Sequence, residues 1–429
     1  MKGLLFSLFL VVTLLIPGQA PATSTGTGGA ITLDQAVDAV MDRNPSLAVT
    51  WQEIRARRAA ARQAGLAPNP TLFGEMEEFG GSGEYAGTGS LTTRLGISQE
   101  IPLGGRIGKR VREAEASVTV ADLEHRLRLA EIKALAETRF YETFTLQERL
   151  KLLVEQTGLV EKGHEVVSKR VRIGEAPPLD LTRSGIELAS ARIEAEQARR
   201  QLDSARFTLA ETWGAKVPDF SSLAGDYRQH ALLSDAEAAL RLEQSPAALL
   251  LKAERDRSEA ALETARTLAF ADLELEGGLQ RFRASDDHAL FLGISIPLPL
   301  FDRNQGSIAE AEAATEKARQ ERSAGMLALH TELRETRQRL TATGQALQSL
   351  ETTVLPATRE AYDAVSKAYM AGEIDILALL DSQRTLVQAR LSRLQLLHEL
   401  ETGAIAVARL LGDGLRTPVP ADATISVND

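Results

Sequence analysis

The sequence predicts a mainly helical, internally duplicated chain that lends four strands to a membrane β-barrel shared between copies. Three observations carry this. First, LGISQEIPLGGR at 95–106 and LGISIPLPLFDR at 292–303 agree at seven of twelve positions, at an offset of 197. Second, no proline falls between Pro102 and Pro177, so a helix can run from about Gly105 to Arg172. Such a helix is about 100 Å long and needs neighbours of similar length. Third, four runs of about ten residues alternate between apolar and polar, the length of a tilted strand crossing a bilayer.

In chain order, residues 1–20 have the layout of a secretory signal. Lys2 precedes an apolar core over 4–16, and Gly18-Gln19-Ala20 is a small-x-small cleavage site. The core is too short for a spanning helix, and no later apolar run approaches that length. The mature chain is therefore expected beyond the inner membrane without a helical anchor. The first repeat is expected over 30–214. Its opening helix starts at Thr32-Leu33-Asp34, with Thr32 or Asp34 as N-cap, and bends at Asn44-Pro45. Pro68 and Pro70 stop it after about Gly65. Two strands follow within 70–101, then the long helix, a tip at 171–178 and a returning helix. Residues 215–232 read as a linker. The second repeat, 233–412, has strands within 270–298 and a tip at 369–376. A loose tail, 413–429, ends the chain.

A second near-repeat supports the duplication. IGEAPPLDLTRSGIELASAR (173–192) lies on AGEIDILALLDSQRTLVQAR (371–390) at an offset of 198, with identities from Gly174/Gly372 to Arg192/Arg390. The helices carry packing seams. Leu188, Ala191, Ala195, Ala198, Leu202, Ala205 and Leu209 step by three and four, and Leu333, Leu340, Leu347 and Val354 repeat every seven. Pro356 is expected to kink the second long helix.

The strands alternate cleanly. Leu91, Thr93, Leu95 and Ile97 oppose Thr92, Arg94, Gly96 and Ser98. Leu290, Leu292, Ile294 and Ile296 oppose Phe291, Gly293 and Ser295. Leu273, Leu275 and Leu279 alternate with Glu274, Glu276 and Gln280, and TLFGEMEEF (71–79) is the fourth run. Half-buried soluble hairpins show the same alternation. The polar hairpin loops and the secretory signal favour the membrane reading. Four strands cannot close a membrane barrel, and an open edge in lipid is not tolerated. Three copies would supply twelve strands, with the helices continuing as a tube below. Pro297 and Pro299 would end strand pairing because proline has no N–H for the ladder. Asp302 or Asn304 would then cap the next helix.

Composition excludes much chemistry. A net charge of −10 offers no basic excess for nucleic acid. There is no cysteine, so no disulfide and no thiol nucleophile. The histidines at 125, 164, 230, 288, 330 and 398 form no ligand spacing, and no phosphate-cradling loop or nucleophile elbow occurs. No cofactor, tight metal site or enzyme is expected. Asp272, Glu274 and Glu276 read as a solvated face, with attraction of cations in a lumen as the alternative.

On these motifs the chain resembles the TolC-type outer-membrane efflux family, across about 30–412. ISQEIPLGGRIGKR is most similar to the CzcC-like branch that serves heavy-metal exporters. The resemblance implies a homotrimer in outer-membrane lipid, with a twelve-stranded barrel and a periplasmic helical tunnel. It also implies docking on a periplasmic membrane-fusion adaptor, linked to an inner-membrane pump of the resistance–nodulation–division type. The cargo would be heavy-metal cations. Drug efflux, type I protein secretion and a barrel-less periplasmic scaffold are the alternatives.

Site residues follow from the same resemblance. Ile173, Gly174 and Glu175, with Ala371, Gly372 and Glu373, match tips that meet the adaptor. Asp180, Tyr369 and Asp381 match a periplasmic gate, while Ala378 and Ile374 stand where the family pattern has an acidic and an arginine position. That lock is therefore expected to be thinner or differently built. Asp180 and Asp381 also suit helix N-terminal turns, where the dipole favours a carboxylate. Pro102 and Pro299 match the two barrel-to-helix junctions.

Overall fold

The computed structural model describes residues 28–412 apart from 229, 231 and 232. The signal at 1–20 and the tail at 413–429 lie outside the described residues. The chain runs β1 (Ala30–Thr32), α1 (Leu33–Arg43), α2 (Pro45–Ala64), β2 (Thr71–Glu77), β3 (Thr92–Ile101), α3 (Arg106–Arg172) and α4 (Pro178–Glu211). After β4 (Ser222–Ala224) the order recurs as α5 (Asp235–Glu243), α6 (Pro246–Thr267), β5 (Leu273–Phe282), β6 (Asp287–Ser295), α7 (Gln305–Ser349), α8 (Leu355–Ala371) and α9 (Ile376–Leu411).

Local chemistry sets the helix limits. Thr32 and Gln35 form a reciprocal capping box that starts α1. Asn44 then caps α2, accepting from Ser46 N at 2.9 Å, while its amide donates to Thr212 O at 2.8 Å. The expected bend is thus a full break, tied to the end of α4. The 67-residue α3 is unbroken. Its counterpart is split by a π-turn over Leu350–Val354, just before Pro356. Pro356 has no N–H to continue the ladder, and the widened turn is placed where the lost bond would fall.

The seams pack as patterned. Leu188, Ala191, Ala198, Leu202, Ala205 and Leu209 are buried, with Leu188 and Ala191 against Val160 of α3. Small seam residues bring the helices so close that Thr143 and Thr157 of α3 donate to the Ala205 and Ala191 carbonyls, each at 3.3 Å. In the second repeat Leu333, Leu340 and Leu347 are buried, but Val354 is exposed. The π-turn shifts the helical phase and rotates Val354 off the seam.

The main core sits at mid-height. Phe140, Tyr141, Phe144, Trp213, Phe220 and Tyr227 gather there with Leu209, Leu347, Leu394 and Leu397. Residues 215–228 of the segment read as a linker, 215–232, help build it. Its β4 pairs in parallel with β1. On its other side the Gln147 amide bonds both Leu223 O at 3.0 Å and Leu223 N at 2.9 Å, as a neighbouring strand would. Glu401, buried on α9, accepts from Arg228 N and meets His230 Nε2 at 2.8 Å. This strap joins the repeats as packed structure.

Candidate conduit surfaces

Strands β2, β3, β5 and β6 form one antiparallel sheet in that order, leaving β2 and β6 as edges. Its register sorts side chains by face. One face carries Leu72, Leu95, Ile97, Leu275, Leu279, Leu290, Leu292 and Ile294. Leu290 and Leu292 are 81% and 82% exposed, as apolar side chains seldom are in water. The other face carries Glu75, Glu77, Glu100, Glu274, Glu276 and Asp287 against one cation, Arg94. Arg94 lies 3.8 Å from Glu75 and 5.4 Å from the centre of the Phe291 ring. Phe73 and Phe291 converge over Gly96, where a Cβ would come within 2.8 Å of both rings. Of the three carboxylates considered from sequence, Glu274 and Glu276 are on this face. Asp272 instead pairs with Arg106 below the sheet.

The two junctions are built differently despite their common motif. Pro102 directly follows β3, and the chain turns through Gly104 and Gly105, both left-handed at φ 67° and 71°. Gly104 has a second reason to be glycine: a Cβ would meet the Phe270 ring at 2.9 Å. Pairing of β6 stops at Ser295, before Pro297 and Pro299. There the left-handed residue is Asn304, at φ 58°. Asn304 occupies the N-cap position of α7, but its side chain does not cap the helix. It donates to Ala265 O at 2.8 Å, and Asp302 accepts from Asn304 N at 2.9 Å. The capping expectation is corrected accordingly: these side chains tie the turn itself and the end of α6.

The tips match each other bond for bond. Gly174 N reaches Val171 O and Glu175 N reaches Arg170 O. One repeat later, Gly372 N reaches Tyr369 O and Glu373 N reaches Ala368 O. Both glycines are left-handed, at φ 82° and 78°, in the Schellman pattern that ends a helix. Ile173, Glu175, Ala371 and Glu373 are exposed around them.

Of the candidate gate residues, Tyr369 and Asp180 lie within electrostatic reach of each other. Tyr369 is buried against Val167 and Ile376, with Ile374 packed alongside. Burial raises its phenol above the usual range, the Arg170 guanidinium opposing and the Asp180 carboxylate adding to the rise. Its hydroxyl is buried without a well-formed hydrogen bond. Asp180 is buried in the first turn of α4, 3.9 Å from Arg183. Asp381 stands apart, exposed on α9 near the Arg384–Glu187 pair.

Sequence reasoning missed Arg170, Glu187 and Arg384. Arg170 donates to Tyr369 O at 3.0 Å and lies 5.1 Å from that ring's centre, joining the two tips. Arg384 grips Glu187 with Nε at 3.1 Å and with Nη2. Ile374 is apolar, and arginines at other positions tie these helices, Arg170 linking α3 to α8 and Arg384 linking α9 to α4. Their only sequence signal was a charge facing a seam, which any solvated helix also shows.

Among the described residues, no group of three or more His, Asp or Glu could hold a metal ion, and no helix is long and apolar enough to cross a membrane. A family model described as outer membrane efflux protein matches residues 36–215 and 239–413, one span per repeat. The cobalt-zinc-cadmium resistance protein CzcC of Cupriavidus metallidurans is 31% identical over 426 residues, 96% of this chain and 100% of that one. The nickel-cobalt-cadmium resistance protein NccC of Alcaligenes xylosoxydans xylosoxydans is 26% identical over 284 residues, 62% and 60% of the two chains. The solved outer-membrane channel OprN superposes with a TM-score of 0.76 at 21% identity, over 89% of this chain and 90% of that one, a likeness of fold.

Proposed function

The chain belongs to the outer membrane efflux protein family, and from that premise we propose that it is the exit duct of a heavy-metal cation exporter, working as a homotrimer. It is an outer-membrane channel with a periplasmic helical extension. The observation that carries the trimeric reading is the sheet. Four strands with two open edges and one apolar face cannot rest in lipid alone. Three copies joined β6 to β2 would close twelve strands, with the apolar face toward lipid and the acidic face lining the lumen.

In this reading Pro102 and Pro299 mark where barrel strands become tunnel helices. The tips around Ile173, Gly174 and Glu175, and around Ala371, Gly372 and Glu373, meet a periplasmic membrane-fusion adaptor. An inner-membrane pump of the resistance–nodulation–division type supplies the energy, and the duct itself does no chemistry. Asp180, Tyr369 and Asp381 form the gate. Opening it requires the Arg170 link between the tips and the Arg384–Glu187 pair to yield, which an adaptor engaging both tips could drive.

Metal cargo is favoured by the names of the relatives matched above and by the acidic face. The test is a strain lacking this chain, with and without the gene restored. Loss of tolerance to zinc, cobalt or cadmium, with drug tolerance intact, is expected. Drug sensitivity with unchanged metal tolerance would overturn the cargo reading.

A further inference from the structure

The two repeats meet inside one chain in a way that the next copy must copy. The second strand of the first repeat, β3, pairs with the first strand of the second, β5. Just below, Arg106 locks that seam. Its guanidinium pairs with the Asp272 carboxylate and donates to Phe270 O at 2.8 Å, in the loop leading into β5. Leu103 N adds a bond to Asp272 at 3.2 Å.

Arg303 is the repeat counterpart of Arg106, at the offset of 197. It is exposed at the foot of β6. Its backbone N–H bonds Gln305 at 2.8 Å. Its guanidinium makes no ion pair or hydrogen bond among the described residues. The seam it should lock lies between β6 and the β2 of another copy.

The acceptor can be found by the same logic. The loops into β2 and β5 follow helices capped by Gly65 and Leu268, an offset of 203. That offset also superposes Leu72 on Leu275, which share the apolar face. It places Asn69 on Asp272 and Ala67 on Phe270. Asn69 is exposed, and its amide has no partner among the described residues. Within one chain β2 and β6 are three strand spacings apart, about 14 Å, so the pairing is between copies.

We propose that Arg303 clamps the loop before β2 of the adjacent copy, with Asn69 as its side-chain acceptor. The inference rests on the shared-barrel reading and adds a defined intersubunit contact to it. A neutral amide stands where the internal seam has a carboxylate, so this clamp is the weaker of the two.

The test uses the full chain, purified in detergent, and the temperature at which its trimer dissociates. Asn69→Asp should raise that temperature by several degrees by restoring the ion pair. Arg303→Ala should lower it, and in that background Asn69→Asp should no longer help. A trimer whose stability Asn69→Asp leaves unchanged, lowers, or raises equally without Arg303 overturns the clamp alone. A wild-type chain that is monomeric overturns the shared barrel, and the clamp with it.

Discussion

Asp381 offers the sharpest residue-scale test of the gate. It is exposed, its backbone carbonyl accepts from Thr385 at 2.9 Å, and among the described residues its carboxylate holds no hydrogen bond or salt bridge, only the field of nearby Arg384. Asp381→Ala therefore removes a carboxylate without opening a cavity. If Asp381 narrows the pore, single-channel conductance in planar bilayers rises, and an unchanged conductance removes it from the constriction. His398 supports a different prediction, in the mid-height core. Its Nδ1 lies 3.3 Å from Thr145 Oγ1, which also meets the Tyr227 hydroxyl at 2.7 Å. Burial lowers its pKa below the usual 6.5, against the pull of Glu142, Glu399, the Tyr141 carbonyl and Glu401. The unfolded chain then binds more protons between the folded value and about 6.5. The stabilisation is present above about pH 6.5 and is lost as pH falls through that window. Thermal unfolding at about pH 5.5 and pH 7.5 should differ more for wild type than for His398→Gln. Equal differences would mean His398 does not titrate there.

At the scale of elements, what the sequence disclosed depended on periodicity. Helix α3 and the α4 seam were legible because a three–four apolar step without proline has no other stable use. The strand faces were legible because alternation fixes them once one residue is placed. The π-turn at Leu350–Val354 was only hinted at by Pro356, since a phase shift of one residue leaves the composition unchanged. The strap at 215–228, with His230, was hidden for another reason. Its strand has three residues and its partners are β1, Gln147 and Glu401, all remote in sequence. A segment stabilised mainly by distant partners carries little local pattern. The tips and the proposed gate residues divide in the same way. The glycine turns at the tips were visible as repeats, whereas the placing of Tyr369 beside Arg170 and within electrostatic reach of Asp180 is a product of packing.

Across the whole molecule, an acidic face lining the lumen of the proposed barrel would let a duct favour cations without retaining them. Glu100 lies directly opposite Glu274 across β3 and β5, and Glu274 and Glu276 follow about 6.8 Å apart along one strand, so the carboxylates form a row rather than a cluster. The face therefore attracts positive charge as a field, in keeping with the absence of any three-carboxylate or histidine cluster among the described residues. A field of this kind raises local cation concentration and still allows release, which a tight site would prevent. Glu274 and Glu276 are its best probes. They lie on the acidic face of the sheet, Glu274 exposed and Glu276 beside Gly293, and neither holds a salt bridge among the described residues. In planar bilayers under a potassium chloride gradient, wild type should show a reversal potential of cation preference. Replacing both by glutamine removes six charges from three copies and should move that potential toward zero. The shift should shrink at about 1 M salt, where the Debye length falls to about 3 Å and the wall charges are screened from the pore axis. A potential unchanged by the double replacement would place selectivity elsewhere, and the exposed Asp381 near the tips is then the next carboxylate to test.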